Sequence, residues 1–257
     1  MRYLKTFWNR RGLLFELVKK GIKLKYRKSY LGIIWSLLEP VLTTIVLTIV
    51  FGTLFGNKNQ NFPVYILCGR LLYSFFSAST KTAARSIRSN SAMIKKVYVP
   101  KYLYPLSAIL YNYIITLIAL VVLIPLCIYC RVVPTVHVFG VIVPLILLLL
   151  LTYGVGMILA TVTVFFRDME YLWDVILMII MYSSAIFYYP EKLMKSGYAW
   201  ILKFNPLYGV IKLFRDAILG NAMNMHYVLY VFGFSCVVLL VGHLIFYKKQ
   251  DQFILQI

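Results

Sequence analysis

The sequence is poor in acidic side chains and in histidine. Its 257 residues include 8 Asp and Glu and 3 His, against 27 Lys and Arg. His137, His226 and His243 lie in separate segments, and Asp168 and Glu170 point to different faces of a helix. No acid–base pair for an embedded enzyme is visible, and acids are not buried midway along several apolar runs as in a proton relay. The phosphate-loop pattern GxxxxGK[ST] is also absent, which argues against nucleotide hydrolysis by this sequence alone.

Cysteine is scarce, and its spacing does not predict a metal site. Cys68, Cys127, Cys130 and Cys236 lie in or at the ends of apolar runs. Cys127 and Cys130 form a CxxC pair that lacks the second pair of ligands a structural zinc site needs. We therefore expect no metal and interpret the four thiols as small buried hydrophobic groups.

Long apolar runs are what the sequence has in abundance. Hydrophobic residues make up 61% of it, and the mean hydropathy is +0.81, more than a soluble domain can bury. Runs of about 20 apolar residues match the hydrocarbon thickness of a bilayer. The sequence thus predicts an all-α polytopic membrane protein, a single domain over 1–257 with its membrane region at 31–247 and a cytoplasmic tail at 248–257. The six predicted spans are Leu31–Phe55, Phe62–Ala84, Pro105–Tyr129, Val138–Phe166, Tyr171–Tyr189 and Tyr227–Tyr247.

Positive charge is distributed on one side of these runs. The formal net charge is +19, and ten Lys and Arg precede Tyr30, whereas the two short outer loops hold only Lys58 and Arg131. By the positive-inside rule both termini lie in the cytoplasm. No cleavable signal is expected, because the first apolar run begins after about thirty residues and is long enough to span. The charge is better explained by topology and anionic lipid headgroups than by nucleic acid, which we do not expect as a partner.

The first thirty residues (1–30) predict a cytoplasmic amphipathic interface helix. Leu14, Val18 and Ile22 recur at four-residue steps between Leu13 and Lys28, and the opposing face is basic. Such a helix lies in the headgroup plane with its cations toward phosphates. A positive topology anchor without further function is the alternative.

Three local patterns predict structure between the spans. Ser91–Val97 predicts a short cytoplasmic helix that stops before Pro100. Gly154 and Gly156 in span four predict the close approach of a neighbouring helix. The segment 190–221 predicts short re-entrant or interfacial helices between spans five and six. There Asn205 is placed as the N-cap, Pro206 as the first helical residue and Gly220 as the C-cap, with Lys212, Arg215 and Asp216 on the polar face.

Three stretches together resemble a known family. They are KKGIKLKYRKSYLGIIWSLLEP at Lys19–Pro40, SNSAMIKKVYVPKYLYPLS at Ser89–Ser107 and FNPLYGVIKLFRDAILG at Phe204–Gly220. In order and spacing they are similar to type-2 ABC transporter permeases, in particular the branch that exports O-antigen and teichoic-acid type polysaccharides. The sequence departs from the family at Arg70, since an apolar residue more often follows the glycine equivalent to Gly69.

The resemblance implies the partners and one set of site residues. A homodimer of this chain would bind two copies of a separate ATPase subunit, which would hold ATP and Mg; this chain would bind no cofactor and would not itself be an enzyme. The cytoplasmic helix would couple the two subunits, with an ordinary solvated loop as the alternative. The coupling candidates are Asn90, Lys95, Lys96, Tyr98 and Pro100, with Arg167 and Asp168 as a second contact.

A lipid-linked glycan needs a basic entry site and a path on which sugars slide. Near-surface cations attract anionic headgroups, and Arg adds bidentate donors to phosphate. The entry candidates are Lys23, Lys25, Arg27, Lys28, Arg85 and Arg88. Aromatic faces contact sugar rings without fixing one orientation, although anchoring at the membrane interface explains them equally well. The conduit candidates are Trp35, Tyr65, Tyr73, Phe76, Tyr182, Phe187, Tyr188 and Tyr189, with Arg70, for which snorkelling or a structural ion pair is the alternative.

The sequence therefore favours the transmembrane subunit of an ABC exporter that moves a lipid-linked cell-surface polysaccharide across the bacterial cytoplasmic membrane. Three alternatives stay open: a type-2 permease for a drug or small lipid, a membrane-embedded glycosyl- or acyltransferase, and a pore or channel. The transferase predicts a clustered acid or histidine pair at one membrane face, and the channel predicts no ATPase partner.

Overall fold

The computed structural model describes residues 11–27, 29–54, 59–96, 99–195 and 197–256, and the regular elements within these ranges are all helical. The predicted all-α class is therefore confirmed. The α-helices are α1 (Arg11–Tyr26), α2 (Trp35–Leu54), α3 (Phe62–Ser89), α4 (Ser91–Lys96), α5 (Leu103–Ala119), α6 (Leu123–Tyr129), α7 (Ile142–Phe165), α8 (Met169–Tyr182), α9 (Glu191–Met194), α10 (Ala199–Phe204), α11 (Pro206–Leu219), α12 (Met225–Lys249) and α13 (Phe253–Gln256). Short 3-10 turns at Gly32–Ile34, Leu120–Val122, Val136–Val141 and Gln250–Gln252 extend several of them.

Four helical stretches of the described chain are long and apolar enough to cross a bilayer. They are Gly32–Leu54, Leu103–Tyr129, Val136–Phe165 and Met225–Gln256, with hydropathies between 2.0 and 2.6. They correspond to the predicted spans one, three, four and six. The chain is thus a multi-pass membrane protein.

The other two predicted spans differ in length from the prediction. α3 has 28 residues and runs past Ala84 to Ser89, carrying several cations toward its C-terminal end. α8 has 14 residues, about 21 Å of helix, which is less than the ~30 Å hydrocarbon core. The prediction of a helix over Tyr171–Tyr189 is wrong beyond Tyr182. Membrane crossing by α3 and α8 stays a prediction.

The chain leaves the helical path after α8 because local groups satisfy its last carbonyls. The Ser184 hydroxyl donates to the Ile180 carbonyl at 2.6 Å, and the Tyr188 hydroxyl donates to the Tyr182 carbonyl at 2.8 Å. Ala185 has a φ of 48°, in the left-handed region that interrupts a helix. Residues 183–189 therefore form an irregular loop, called the 183–189 loop below.

A tightly packed block surrounds α3. Its buried face packs against α5 and α7, and α7 in turn packs along α12. A Cβ built on Gly154 would lie 2.7 Å from the backbone nitrogen of Leu239, and one on Gly242 would lie 2.5 Å from the Gly154 carbonyl oxygen. A Cβ on Gly156 would lie 2.8 Å from Ile109. The predicted close approach at Gly154 and Gly156 is confirmed, because only hydrogen fits there.

Two helices are attached much more loosely. In α2 only Ser36 and Thr44 are buried, and in α8 only Trp173 and Leu177 are buried. Most of their large apolar side chains are exposed, and the others, such as Leu47 of α2 and Ile180 of α8, are half-buried against the block. α2 and α8 therefore flank the packed block rather than belong to it.

The helices predicted before the first span, at Ser91–Val97 and at 190–221 are largely present, and their positions relative to the membrane stay predictions. α1 buries Leu17 and Val18 and packs on α5, and α4 covers Ser91–Lys96 of the predicted short helix. The location of α1 at the membrane surface stays a prediction. The side chain of Asn205 caps α11 by accepting from the Leu207 and Tyr208 backbone nitrogens.

Candidate functional site

A groove with four cationic side chains opens between α1, α3 and α5. Its volume is about 710 Å³. Lys20 and Lys25 of α1 face Lys81 and Arg85 of α3 across it. Lys81 and Arg85 are four residues apart, so the helical period places them on one face. We call this space the cationic groove; carboxylates are absent from its lining among the described residues, and its other polar walls are Thr82, Ser86, Ser89, Asn90, Ser107 and Asn112.

A smaller cavity of about 140 Å³ continues from the groove toward α2. Lys25 lines both spaces, and Glu39 and Arg70 line the smaller one together with Trp35. Burial lowers the pKa of Lys25, and the nearby carboxylate of Glu39 opposes that shift. Asn112 separates the two spaces, and its amide donates to the Thr82 hydroxyl at 2.9 Å. The two spaces together form a polar path from α1 to Arg70.

Ion pairs join the C-terminal end of α3 to α8. Lys81 Nζ lies 2.8 Å from Asp174, and Arg85 Nε lies 2.7 Å from Glu170. Arg88 also pairs with Glu170. Two cations of the groove therefore already hold carboxylates that belong to α8.

Hydrogen bonds continue this seam toward the membrane. The indole of Trp173 donates to the Thr80 hydroxyl at 3.0 Å. The Tyr73 hydroxyl donates to the Leu177 carbonyl at 2.9 Å. The seam between α3 and α8 is therefore polar from Arg88 to Tyr73.

Arg215 of α11 is buried at the opposite end of α3. Its side chain is 4% exposed, and it donates to the carbonyls of Tyr65 at 3.0 Å, Ala185 at 3.0 Å and Ile186 at 3.3 Å. Its guanidinium carbon lies 3.4 Å from the centroid of the Tyr65 ring, a cation–π distance. The assignment of Arg215 to the polar face was wrong: it follows Leu207 and Ile211 at four-residue steps, so it lies on the apolar stripe. That spacing was the signal in the sequence.

Arg215 gathers aromatic side chains around the 183–189 loop. The Tyr65 hydroxyl donates to the carbonyls of Ala185 at 3.1 Å and Tyr188 at 3.0 Å. The Tyr189 ring lies 4.6 Å from that of Tyr65, and Phe187 stacks on Phe51 at 5.0 Å. This cluster joins α3, α2 and the loop.

α4 and the turn between α7 and α8 present exposed charged side chains. Lys95 and Lys96 of α4 are exposed, while Ile94 is buried. Arg167 and Asp168, between α7 and α8, are exposed too. The amide of Asn90 donates to the Ser86 carbonyl at 2.8 Å, which closes the end of α3. α4 is therefore anchored on its apolar side and open to a partner on its basic side.

Comparison with known proteins decides the family. The model of the family described as "ABC-2 type transporter" matches residues 12–219. The chain belongs to the ABC-2 type transporter family. The resemblance read from the sequence is thereby confirmed.

Individual relatives align over nearly the whole chain. An O-antigen export system permease protein of Klebsiella pneumoniae is 27% identical, over 94% of this chain and 95% of its own length. A protein of the same name from Myxococcus xanthus is 25% identical, over 98% of each chain. A polysialic acid transport protein of Escherichia coli is 25% identical, over 92% of each chain.

The structure places the phosphate-entry candidates of this ABC-2 transporter chain in different environments. Lys25 and Arg85 line the cationic groove, whereas Lys23 and Arg27 are exposed and not part of its lining, and Arg88 holds Glu170. Lys28 and the coupling candidate Tyr98 lie outside the described residues. Lys20 and Lys81 were missed, although each precedes a predicted cation by four or five residues.

The conduit candidates of the ABC-2 chain occupy three environments. Tyr65, Tyr73, Phe76 and Phe187 are buried within helix packing, and Tyr188 and Tyr189 are half-buried. Trp35 and Tyr182 are exposed on α2 and α8, and Arg70 lines the smaller cavity. Pro100 of the coupling set is half-buried beside α4. The roles of all these residues stay predictions.

Proposed function

We propose that this chain is the transmembrane subunit of an ABC exporter that moves a lipid-linked cell-surface polysaccharide across the bacterial cytoplasmic membrane. The observation that carries the proposal is the family match over 12–219, together with near full-length relatives whose names state polysaccharide export. The cationic groove supports it independently, because its cations attract an anionic phosphate headgroup and two of them, Lys20 and Lys25, belong to α1 and take no part in the ion pairs with α8.

The proposed topology has six spans and cytoplasmic termini. α3 and α8 serve as spans two and five, and α9, α10 and α11 lie in the outer leaflet. The basic stretches before Tyr30 and around α4 support this orientation by the positive-inside rule. The short α8 reaches across with the help of the 183–189 loop, whose irregular backbone faces protein rather than lipid, as membrane proteins require.

The proposed assembly is a homodimer with two copies of a separate ATPase that carries ATP and Mg. The outward apolar faces of α2 and α8 support a dimer seam there, since both helices have few buried residues. Lys95 and Lys96 would meet the ATPase, because α4 presents them outward from a fixed apolar anchor. ATP-driven closure of the ATPases would press on α4 and open the seam.

Substrate would enter with its phosphate in the cationic groove and its acyl tail in the bilayer among membrane lipids. Each near-surface cation contributes about 1 kcal/mol of attraction to an anionic headgroup. The sugars would then follow the aromatic side chains toward the 183–189 loop. Arg70, on the smaller cavity, lies between these two regions along α3.

Controlled depletion of this protein in its host tests the proposal. We expect surface polysaccharide to disappear and its lipid-linked precursor to accumulate on the cytoplasmic side, with restoration by the wild-type gene. Unchanged surface polysaccharide together with loss of efflux of a drug or small lipid would replace the proposal with that alternative. Transfer of acyl or sugar groups by the purified chain alone would instead indicate a membrane-embedded transferase.

A further inference from the structure

Lys81 and Arg85 can each pair either with an anion in the cationic groove or with a carboxylate of α8. Lys81 and Arg85 line the groove, and their side chains are 43% and 62% exposed. The same two side chains pair with Asp174 and Glu170 of α8. An anion in the groove and the carboxylates of α8 therefore compete for the same charges.

The two carboxylates form one face of a loosely held helix. Glu170 and Asp174 are four residues apart, which places them side by side along α8. Only Trp173 and Leu177 of α8 are buried, so apolar packing holds this helix weakly. Besides this packing, the hydrogen bonds of Trp173 to Thr80 and of Tyr73 to Leu177 and the ion pairs of Glu170 and Asp174 hold α8 against α3.

Arg88 differs from its two neighbours. It pairs with Glu170, but it does not line the groove. An anion in the groove reaches Lys81 and Arg85 while Arg88 continues to hold Glu170. Exchange would therefore release Asp174 completely and leave the first turn of α8 attached.

We propose that Glu170 and Asp174 occupy the positions of a substrate phosphate, and that a phosphate headgroup entering the cationic groove takes over Lys81 and Arg85. α8 can then pivot about the contacts that remain, which are the Arg88–Glu170 pair and the hydrogen bonds of Trp173 to Thr80 and of Tyr73 to Leu177. This inference rests on the proposed function for the identity of the anion. It links headgroup arrival to the release of a helix that forms part of the proposed dimer seam. Without substrate, the ion pairs of Lys81 and Arg85 hold α8 against α3. With a headgroup in the groove, these two pairs are broken and α8 is held less tightly.

Binding of phosphatidic acid to the 257-residue chain in phosphatidylcholine nanodiscs tests the competition. Asp174→Asn removes the competing charge while keeping the side-chain shape, so it should raise the affinity for phosphatidic acid by about fivefold, the effect of one near-surface charge. Lys81→Met should lower the affinity by a similar factor. In the Lys81→Met background, Asp174→Asn should have no further effect. Asp251→Asn, an exposed acid that is not part of the groove lining, is the matched control and should leave the affinity unchanged.

Spin labels on Met178 of α8 and Leu240 of α12 test the release. Both side chains are exposed, and an excess of unlabelled chain restricts the measurement to pairs within one chain. Phosphatidic acid should displace or broaden the distance distribution, and Asp174→Asn should shift it in the same direction without lipid. Inorganic phosphate, added in a parallel sample, distinguishes a free anion from a lipid headgroup: a shift with the lipid alone assigns the headgroup, and a shift with both assigns any phosphate.

Unchanged or lowered affinity in Asp174→Asn overturns the exchange. An equal gain from Asp174→Asn with and without Lys81 overturns it as well, since the effect would then be general electrostatics. A fixed α8 distance with both anions refutes the pivot. These measurements do not use export, so the exchange can hold when the depletion experiment fails, and the proposed function can hold when the exchange fails.

Discussion

Replacing Arg215 with Met tests how the 183–189 loop is held. The substitution keeps an unbranched side chain of similar reach but removes the guanidinium, which donates to three carbonyls and stacks on Tyr65. The carbonyls of Ala185 and Ile186 would remain buried without this donor. We expect the loop to detach from α3 locally while the block of α3, α5, α7 and α12 stays folded.

The magnitude follows from the contacts that are lost. A hydrogen bond to a charged group contributes about 1.5–3 kcal/mol, and a desolvated cation–π contact about 2 kcal/mol. The cost of burying the arginine charge disappears in the variant and offsets a large part of that sum. A net loss of about 3–4 kcal/mol in the free energy of local opening is expected, which corresponds to roughly two to three orders of magnitude in the open population.

The native thiol of Cys68 reports this opening. It is 1% exposed and lies one helical turn after Tyr65 on α3. In a chain with the other three cysteines replaced by serine, maleimide labelling of Cys68 should be slow in wild type and roughly 100- to 1,000-fold faster in Arg215→Met, in proportion to the open population. Arg215→Lys keeps the charge without the planar fork and should give an intermediate rate.

Lys203→Met provides the matched control. It removes a positive charge from an exposed position on α10, in the same outer segment, and should leave the labelling rate at the wild-type value. Equal labelling rates in Arg215→Met and Lys203→Met would refute the view that Arg215 holds the loop.

Three further outcomes follow from named contacts. Lys95→Glu with Lys96→Glu should reduce stimulation of the partner ATPase about fivefold or more in a fully assembled complex, measured as phosphate release; unaltered stimulation and export would contradict the coupling assignment. Gly154→Ala should destabilise the α7–α12 crossing by about 1–3 kcal/mol and shorten the thermal half-life in detergent. Gly233→Ala is the control, because a Cβ there meets no atom within 4 Å, and it should leave the half-life unchanged. Equal half-lives of the two variants would contradict the close crossing at Gly154. Asn205→Ala should cost about 1 kcal/mol through the lost cap, read as faster proteolysis near α11, and unchanged cleavage would count against the cap.

Features that depend on neighbouring residues were predictable from the sequence. The apolar runs of spans one, three, four and six are long enough to predict a membrane-spanning helix from length alone, because bilayer thickness sets a minimum length. The cap at Asn205 and the left-handed Gly220, with φ of 82°, are likewise encoded within a few residues. The same holds for the helix before Pro100.

Features that depend on distant residues were not predictable in this way. α8 ends at Tyr182 partly because Arg215, thirty residues further on, bonds the Ala185 carbonyl. Periodicity alone cannot reveal that contact, so the predicted span extended to Tyr189. Glu170 pairs with Arg85, which lies 85 positions away in the sequence, and local residue spacing cannot predict such a contact either.

The crossing at Gly154 and Gly242 has a consequence for tracking conformational change. Backbones in direct contact cannot slide past each other without one lifting away, so α7 and α12 translate as a unit. Displacements of α2 or α8 are therefore best recorded against probes mounted on that pair, which supplies a stationary coordinate frame within the chain.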